Sequence, residues 1–316
     1  MINIGFKMRK ILITGGLGQL GSYLVDALFL RNKVTILDNF SSVAREKVPD
    51  KVKIIRGDIQ DKKVRDLVHA NEIIIHAAAQ VSVAKSMQDP IFDAKNNIIG
   101  TLNLLEGARN SKIERLVYFS SAAVYGNPIY LPIDELHPQN PLSPYGTSKL
   151  SGEKYCLMYN QAFGLPTVCL RPFNIYSQRQ DPTSPYSGVI SRFIERVKNN
   201  HSPLIFGDGT QTRDFVSVHD VVDMTLLVIE NEDAIGKVFN VGTGIATRID
   251  ELAKMIIELY EKEIEIEYTS AREGDIKESY ADISKAKSIG YAPKVRLDEG
   301  LKEFADIKRT DNMVHI

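Results

Sequence analysis

The amino-acid sequence predicts an α/β fold: a doubly wound parallel sheet with a smaller, discontinuous α+β substrate lobe. Three observations carry this. Short runs rich in Val, Ile and Leu recur at residues 10–14, 33–38, 52–56, 73–76, 115–120 and 167–171, alternating with helical stretches such as 23–30. Continuous apolar runs, rather than polar/apolar alternation, are what parallel strands covered on both faces require. The βαβ rhythm then implies right-handed crossovers. After Arg171 that rhythm breaks into a segment punctuated by Pro172, Pro182, Pro185 and Pro203, and short strands return at 204–206 and 238–241 around a helix at 218–229. The expected division is therefore residues 1–174 plus 214–242 for a dinucleotide-binding domain, and 175–213 plus 243–316 for the smaller lobe. Residues 254–268 carry many charges at helical spacing, which reads as a solvated helix face.

Composition narrows the function. With 43% hydrophobic and 25% charged residues over 316 positions, and no apolar stretch of membrane-spanning length, the chain is globular. A formal net charge of −1 offers no general attraction to nucleic acid. The two cysteines, Cys156 and Cys169, fit neither a disulfide framework nor a CxxC motif, and the N-terminus lacks a signal-peptide pattern. A cytoplasmic protein with two buried thiols is expected. The six histidines are scattered without ligand spacing, so no metal site is expected.

The first strand runs straight into Gly15-Gly16-Leu17-Gly18-Gln19-Leu20-Gly21 and then a helical stretch. Glycine lets backbone approach a pyrophosphate without a Cβ, while a helix N-terminus presents free N–H groups and partial positive charge. Strand, glycine loop and helix in that order point to a dinucleotide. The second strand ends at Asp38, seventeen positions after Gly21, where a carboxylate accepts from ribose hydroxyls and repels a 2′-phosphate. NAD is therefore expected, the plainer alternative for Asp38 being a turn cap. Asp58, ending the third strand, either caps a turn or meets the adenine.

Tyr145 and Lys149 open a helix, and their spacing of four puts both on one face. The pair draws its meaning from position, between two strands and after Ser120-Ser121 at the end of the fifth, since carboxyl ends of strands are where ligands bind. For a tyrosine to act as a base near neutrality its pKa must fall from ~10, which takes about 4 kcal/mol. One ammonium at ~5 Å, with an effective dielectric of about 20, supplies roughly 3 kcal/mol. A second cation is needed, and oxidised nicotinamide is one. Ser121 would donate to the reacting oxygen or relay its proton, its plainer role being to cap the strand end.

Together these motifs resemble the extended short-chain dehydrogenase/reductase family, and within it the UDP-hexose 4-epimerases. The resemblance runs from Lys10 to about Pro293. It rests on the loop 14–21, on Asp38-Asn39-Phe40-Ser41-Ser42, Gly57-Asp58-Ile59 and His76-Ala77-Ala78-Ala79-Gln80, and on Asn96-Asn97 with Gly100-Thr101. The later motifs are residues 120–126, Ser143-Pro144-Tyr145 with Lys149, Arg171-Pro172-Phe173-Asn174, Phe206-Gly207-Asp208-Gly209, Arg213-Asp214 and Arg272-Glu273-Gly274-Asp275. It implies a Rossmann-type sheet and an NAD site formed by Gly15, Gly18, Gln19, Leu20, Gly21, Asp38, Asn39, Phe40, Ser41, Ser42, Asp58, Ile59, Ala77, Ala78, Ala79, Gln80, Asn97, Ser120, Tyr145 and Lys149. Ser121, Tyr145 and Lys149 are the implied catalytic set. The implied substrate contacts are Ser121, Tyr145, Asn174, Val189, Phe206, Gln211, Arg213, Arg272, Asp275 and Ser279, with Phe206 against the uracil. Two arginines on a diphosphate is sound on physical grounds as well, because the guanidinium fork pairs with phosphate oxygens.

Related dehydratases and decarboxylases carry acids just after the catalytic hydroxyl, where this chain has Ala122 and Ala123. Elimination needs both a proton donor and a base, so NAD-dependent 4-epimerisation of a UDP-sugar is expected. A uronate epimerase, another sugar-nucleotide epimerase or dehydratase, and a non-catalytic NAD sensor are the alternatives. Four residues after Asp275, where glucose-specific relatives place a bulky Tyr, Ser279 leaves room for a 2-acetamido group. The resemblance further implies a homodimer through helices at 93–109 and 147–163.

Overall fold

The computed structural model describes residues 8–42, 45, 47–180, 188–271 and 274–311, with side chains to Phe304. Within these the chain forms two compact units. The first comprises 1–126, 139–171 and 222–239, the second 127–138, 172–221 and 240–316. These edges differ from the expected division chiefly at 127–138, which joins the second unit because Ile133 bridges to Ala281 and its carbonyl accepts from Asn240 Nδ2 at 2.8 Å.

The main sheet contains β1 (Lys10–Thr14), β2 (Lys33–Asp38), β3 (Lys53–Arg56), β4 (Ile73–His76), β5 (Arg115–Phe119) and β6 (Thr167–Pro172), with a seventh strand at Val238–Val241. Their spatial order places the seventh strand first, then β6, β5, β4, β1, β2 and β3. Each pairing from β3 to β6 is parallel. The order reverses direction at β1, the doubly wound arrangement expected from the sequence. β1, β4, β5 and β6 are buried along almost their whole length, because helices cover both faces.

Helices α1 (Gln19–Leu28), α2 (Val64–His69), α3 (Val83–Gln88), α4 (Pro90–Ala94), α5 (Gly100–Arg109) and α6 (Pro144–Phe163) belong to the first unit. Between α4 and α5 one π-helical turn, Lys95–Ile99, keeps the chain helical across the expected 93–109 span. α6 starts where Ser143 accepts from Gly146 N–H and Pro144 fills the first turn, and it ends at Gly164 in the left-handed region. Its inner face carries a buried pair: Arg171 donates to both Glu153 oxygens, at 2.8 and 2.6 Å, and to the Tyr125 hydroxyl at 2.7 Å.

The second unit has its own core, in which α7 (Val189–Lys198) lays Ile190, Phe193, Ile194 and Val197 against Phe215, Ile249, Leu252 and Ile256. The charged stretch expected to form a helix over 254–268 divides. Helix Ile249–Leu259 stops early, and Glu267–Thr269 pairs as a parallel strand with Leu204–Phe206. Alternation at Ile264, Ile266 and Tyr268 favours a strand once a partner is available.

Candidate functional site

In the first unit β1 delivers Gly15 with φ +68° directly beneath the end of β4, so close that a Cβ there would lie 2.7 Å from Ala78 Cα. A Cβ on Gly21 would fall 2.0 Å from the Gly15 carbonyl oxygen. The loop is thus a cradle that side chains would fill, opening at the N-terminus of α1. Asp38 closes it from β2: one oxygen accepts from Leu17 N–H and the other from Phe40 N–H, both at 2.9 Å. The turn-shaping alternative for Asp38 is therefore true of its geometry. Beyond it Asn39 donates to Asp58 at 3.0 Å, and Asp58 also receives Gln60 N–H at 2.9 Å. Ser41 and Ser42 lie exposed on the same turn, while Ile59 is buried beneath α5.

Gln80 and Asn97 face inward. Gln80 N–H donates to Asn97 Oδ1 at 2.9 Å, and Asn97 Nδ2 lies within 3.1 Å of the Gln80 carbonyl, Asp93 Oδ1 and Ser148 Oγ. Their side chains are committed to joining the loop 77–80 to α4 and α6, so they shape the cradle rather than offer it free atoms. A second buried chain lies alongside. Thr101 Oγ1 gives its proton to the Asn97 carbonyl at 2.6 Å, so His76 Nε2 must donate to Thr101 Oγ1 at 3.0 Å. His76 Nδ1 then accepts from the Thr14 hydroxyl at 2.8 Å, and Thr14 Oγ1 accepts from Ala78 N–H at 3.2 Å. The imidazole is neutral, its pKa lowered to about 3 by burial and by the Lys149 charge.

Ser121 follows β5, and α6 brings up Tyr145 and Lys149. The Ser121 hydroxyl acts on the half-buried Tyr145 phenol. Burial pushes the phenol above its ordinary value, Ser121 opposes that, and the Asp93 carboxylate adds to it. Lys149 is 4% exposed, and burial lowers its pKa to about 8. Its Nζ lies 4.7 Å from the centroid of the Tyr118 ring. Asp93 and Tyr118, both silent in the sequence reading, thus bear on the pair. Asp93 sits two residues before the π-helical run, and Tyr118 inside an apolar strand, so neither carried a local signal.

Could these residues hold a dinucleotide? They fit one: the cradle excludes side chains, and Gln19 Nε2 and Ser120 Oγ are buried with no hydrogen-bond partner in the protein.

In the second unit, Asn174, Val189, Phe206, Gln211, Arg213 and Asp275 line a cavity of about 530 Å³. Six of the expected substrate contacts are thereby brought together. Arg213 Nη2 donates to Asp275 at 2.7 Å, and burial lowers the guanidinium's pKa while that carboxylate raises it. Gln211 Nε2 donates to the Phe206 carbonyl at 2.7 Å, setting the wall beside the ring. α7 adds Arg192, Glu195 and Arg196, which the sequence reading missed because their helix begins beside the uncharted proline-rich segment. Ser279 is half-buried but does not line this cavity. Arg272 lies outside the described residues. Among the described residues no cluster suits a metal ion, and no helix is long and apolar enough to cross a membrane.

A doubly wound sheet with a glycine cradle on its first strand, and a serine and a tyrosine beside a buried lysine, define a dinucleotide-dependent enzyme. Residues 11–242 match the NAD dependent epimerase/dehydratase family, and the chain belongs to that family, with NAD as its cofactor. A putative UDP-glucose 4-epimerase of Methanocaldococcus jannaschii is 42% identical over 96% of this chain and 99% of its own length. Among solved structures, the UDP-N-acetylglucosamine 4-epimerase of Methanobrevibacter ruminantium M1, in complex with UDP-N-acetylmuramic acid, is 36% identical. It superposes with a TM-score of 0.92 over 96% of this chain and 99% of that one. The UDP-glucuronic acid 4-epimerase of Bacillus cereus, in complex with UDP-glucuronic acid and NAD, is 32% identical with a TM-score of 0.86, covering 95% and 99%.

A buried amine depressed to about 8 has a sign for stability. Below pH 8 the folded chain must hold the charge out of water, and the unfolded chain need not. The cost is fully present there and fades as pH rises towards 10.5. Lys149→Met should therefore stabilise the cofactor-free protein at pH 7, by up to about 3 kcal/mol, while abolishing turnover. Urea unfolding at pH 7 and 10 checks this: the gain should shrink at the higher pH, and a variant less stable than wild type at both would refute it.

Proposed function

We propose that this enzyme inverts C4 of UDP-hexoses, both the UDP-glucose/UDP-galactose pair and the UDP-GlcNAc/UDP-GalNAc pair. The observation that carries the proposal is the placement of Ser121 and Tyr145 beside buried Lys149, with Ala122, Ala123 and Val124 in the turn that follows. Tyr145 takes the proton of the C4 hydroxyl, Ser121 donates to the same oxygen, and the Lys149 charge favours the phenolate. NAD, when bound, supplies the acceptor and returning donor of one hydride. Tyr145 gives its proton back once the 4-keto sugar presents its other face. No carboxylate follows Ser121 to protonate a leaving hydroxyl, so elimination has no acid there.

The cofactor would lie on Gly15, Gly18, Leu20 and Gly21, with Gln19 and Ser120 donating to it. Asp38, Asn39 and Ser42 would meet the adenosine ribose and phosphate, and Asp58 and Ile59 the adenine. In the second unit Phe206 would face the uracil, while Arg213 and Arg272 would hold the diphosphate. Asp275 would release Arg213 for that contact and turn to the ribose hydroxyls. A uronate substrate is a second reading, supported by the similar enzyme in complex with UDP-glucuronic acid and by the extra cations Arg192 and Arg196 in the same cavity.

Incubation with a panel of UDP-sugars, including UDP-glucuronate, should give C4 epimers, and Tyr145→Phe should lower kcat at least ~100-fold while binding of UDP-sugar by calorimetry persists. Unchanged turnover in that variant would refute the mechanism. Ser279→Tyr should slow the acetamido pair about tenfold or more relative to the unsubstituted pair, an expectation that rests on the resemblance rather than on the lining of the cavity; equal loss on both would remove Ser279 from specificity.

A cytoplasmic homodimer completes the proposal, the location resting on two free, buried cysteines. Tyr155, Met158 and Phe163 stand 36–43% exposed along α6, an apolar row suited to a twofold mate. Light scattering should give twice the chain mass, and Met158→Lys should shift it towards monomer.

A further inference from the structure

Lys149 is nearly sealed from water, yet among the described residues no carboxylate forms an ion pair with it. Its amine meets an aromatic face instead. The Nζ stands 4.7 Å from the centroid of Tyr118, inside the ~6 Å at which a ring quadrupole attracts a cation and does so most strongly when both are desolvated. Three contacts fix that ring. Its hydroxyl donates to the Lys149 carbonyl at 3.2 Å, so the ring is tied to the turn that carries the amine. Gly152, three residues on, leaves the space the hydroxyl occupies: a Cβ there would lie 2.3 Å from it. On the far side stands the His76 ring, 5.6 Å away and tilted by 50°.

We infer that Tyr118 is a positioning residue for the proton transfer, its ring face holding the Lys149 ammonium in place as the counter-charge that a carboxylate would otherwise supply. The inference rests on the function proposed above. The floor stays uncharged by construction. Burial and the Lys149 charge keep His76 neutral, with Thr14 and Thr101 bonded to its two ring nitrogens, and burial first, with Cys156, Cys169, Tyr145 and Glu153 adding, holds the Tyr118 phenol well above its ordinary value. A carboxylate in contact with the amine would stabilise its charge but would raise the Tyr145 phenol as well, as Asp93 already does. A π face stabilises the cation without placing a negative charge beside the base.

The other groups around the amine are accounted for. Asp93 of α4 acts on it while bound to Gln80 and Asn97. Cys156 of α6 and Cys169 of β6 are buried, and Glu153 is tied to Arg171 of β6. Lys85 of α3 lies over the Phe92 ring, Lys95 of the π turn is exposed, and Glu106 and Arg109 of α5 pair with each other.

The test replaces Tyr118 with Phe and then with mono-, di- and trifluorinated phenylalanines, which keep the shape while draining the ring face of charge. Two readouts are taken on the NAD-loaded full chain: the titration of Lys149 by NMR of 13Cε-labelled lysine, which needs no substrate, and kcat against pH with UDP-sugars. Taking the Lys149 midpoint of the NAD-loaded wild type as reference, Tyr118→Phe should stay close to it, and the midpoint should fall stepwise with fluorination by about one pH unit in total. The alkaline limb of kcat should follow it down, with KM for the sugar nucleotide within about twofold of wild type. A lysine midpoint that ignores fluorination overturns the inference. If the midpoint falls but wild type turns over no UDP-sugar, the hold of the Tyr118 ring on the ammonium stands, while the proposed function and the proton-transfer role that rests on it fail.

Discussion

The proposed chemistry asks that a buried amine stay charged beside a half-buried phenol that gives up its proton. That constraint orders the first unit. Burial alone works against both groups, lowering Lys149 and raising Tyr145. The surroundings answer with fixed, mostly neutral polarity: the Ser121 hydroxyl on the phenol, the Tyr118 face under the amine, a neutral His76 behind it. Asp93 is the one buried carboxylate aimed at the pair, with one oxygen held by Gln80 and Asn97 and the other without a partner. Its charge favours the ammonium and opposes the phenolate, so it trades one requirement against the other.

The same buried groups connect the pair to the cofactor cradle. Thr14 is the last residue of β1 and the neighbour of Gly15, and its hydroxyl begins the chain that passes through His76 and Thr101 to Asn97. Asn97 in turn reaches Ser148, whose hydroxyl donates to the Tyr145 carbonyl at 3.0 Å. Glycine loop, β4 end and catalytic helix are therefore registered by directional bonds with single acceptors and donors, not by packing alone. Such a network is costly when broken at any member, because each loss leaves a buried polar group unsatisfied. A π-helical turn at Lys95–Ile99 is what lets Asn97 face both ways.

Much of this was legible in the chain. Strands buried on both faces announce themselves as apolar runs, and all six of the expected sheet strands in the first 175 residues form within a residue or two of their expected limits. Glycine spacing and the Tyr145–Lys149 interval mark local geometry, so they read directly. What did not read depends on partners distant in sequence. Glu267–Thr269 is a strand because Leu204–Phe206 lies beside it, and residues 127–138 belong to the second unit through Ala281 and Asn240. Gln80 and Asn97 looked like cofactor contacts by their place in a motif, yet their side chains turn inward. Tyr118 looked like one more core residue in an apolar strand, since nothing local distinguishes a packed tyrosine from one beneath a cation.

The economy of the catalytic set bears on which reaction it can perform. In the proposed reaction one phenol would take a proton and later return it to the same oxygen, so the protein would end each cycle as it began, with no second acid or base required. Dehydration would need a proton delivered to a departing hydroxyl and another removed from carbon, but the short 3₁₀ turn after Ser121 carries Ala122, Ala123 and buried Val124. The proposed reaction would keep its charges balanced within the site, because reversible hydride transfer is coupled to one shuttled proton.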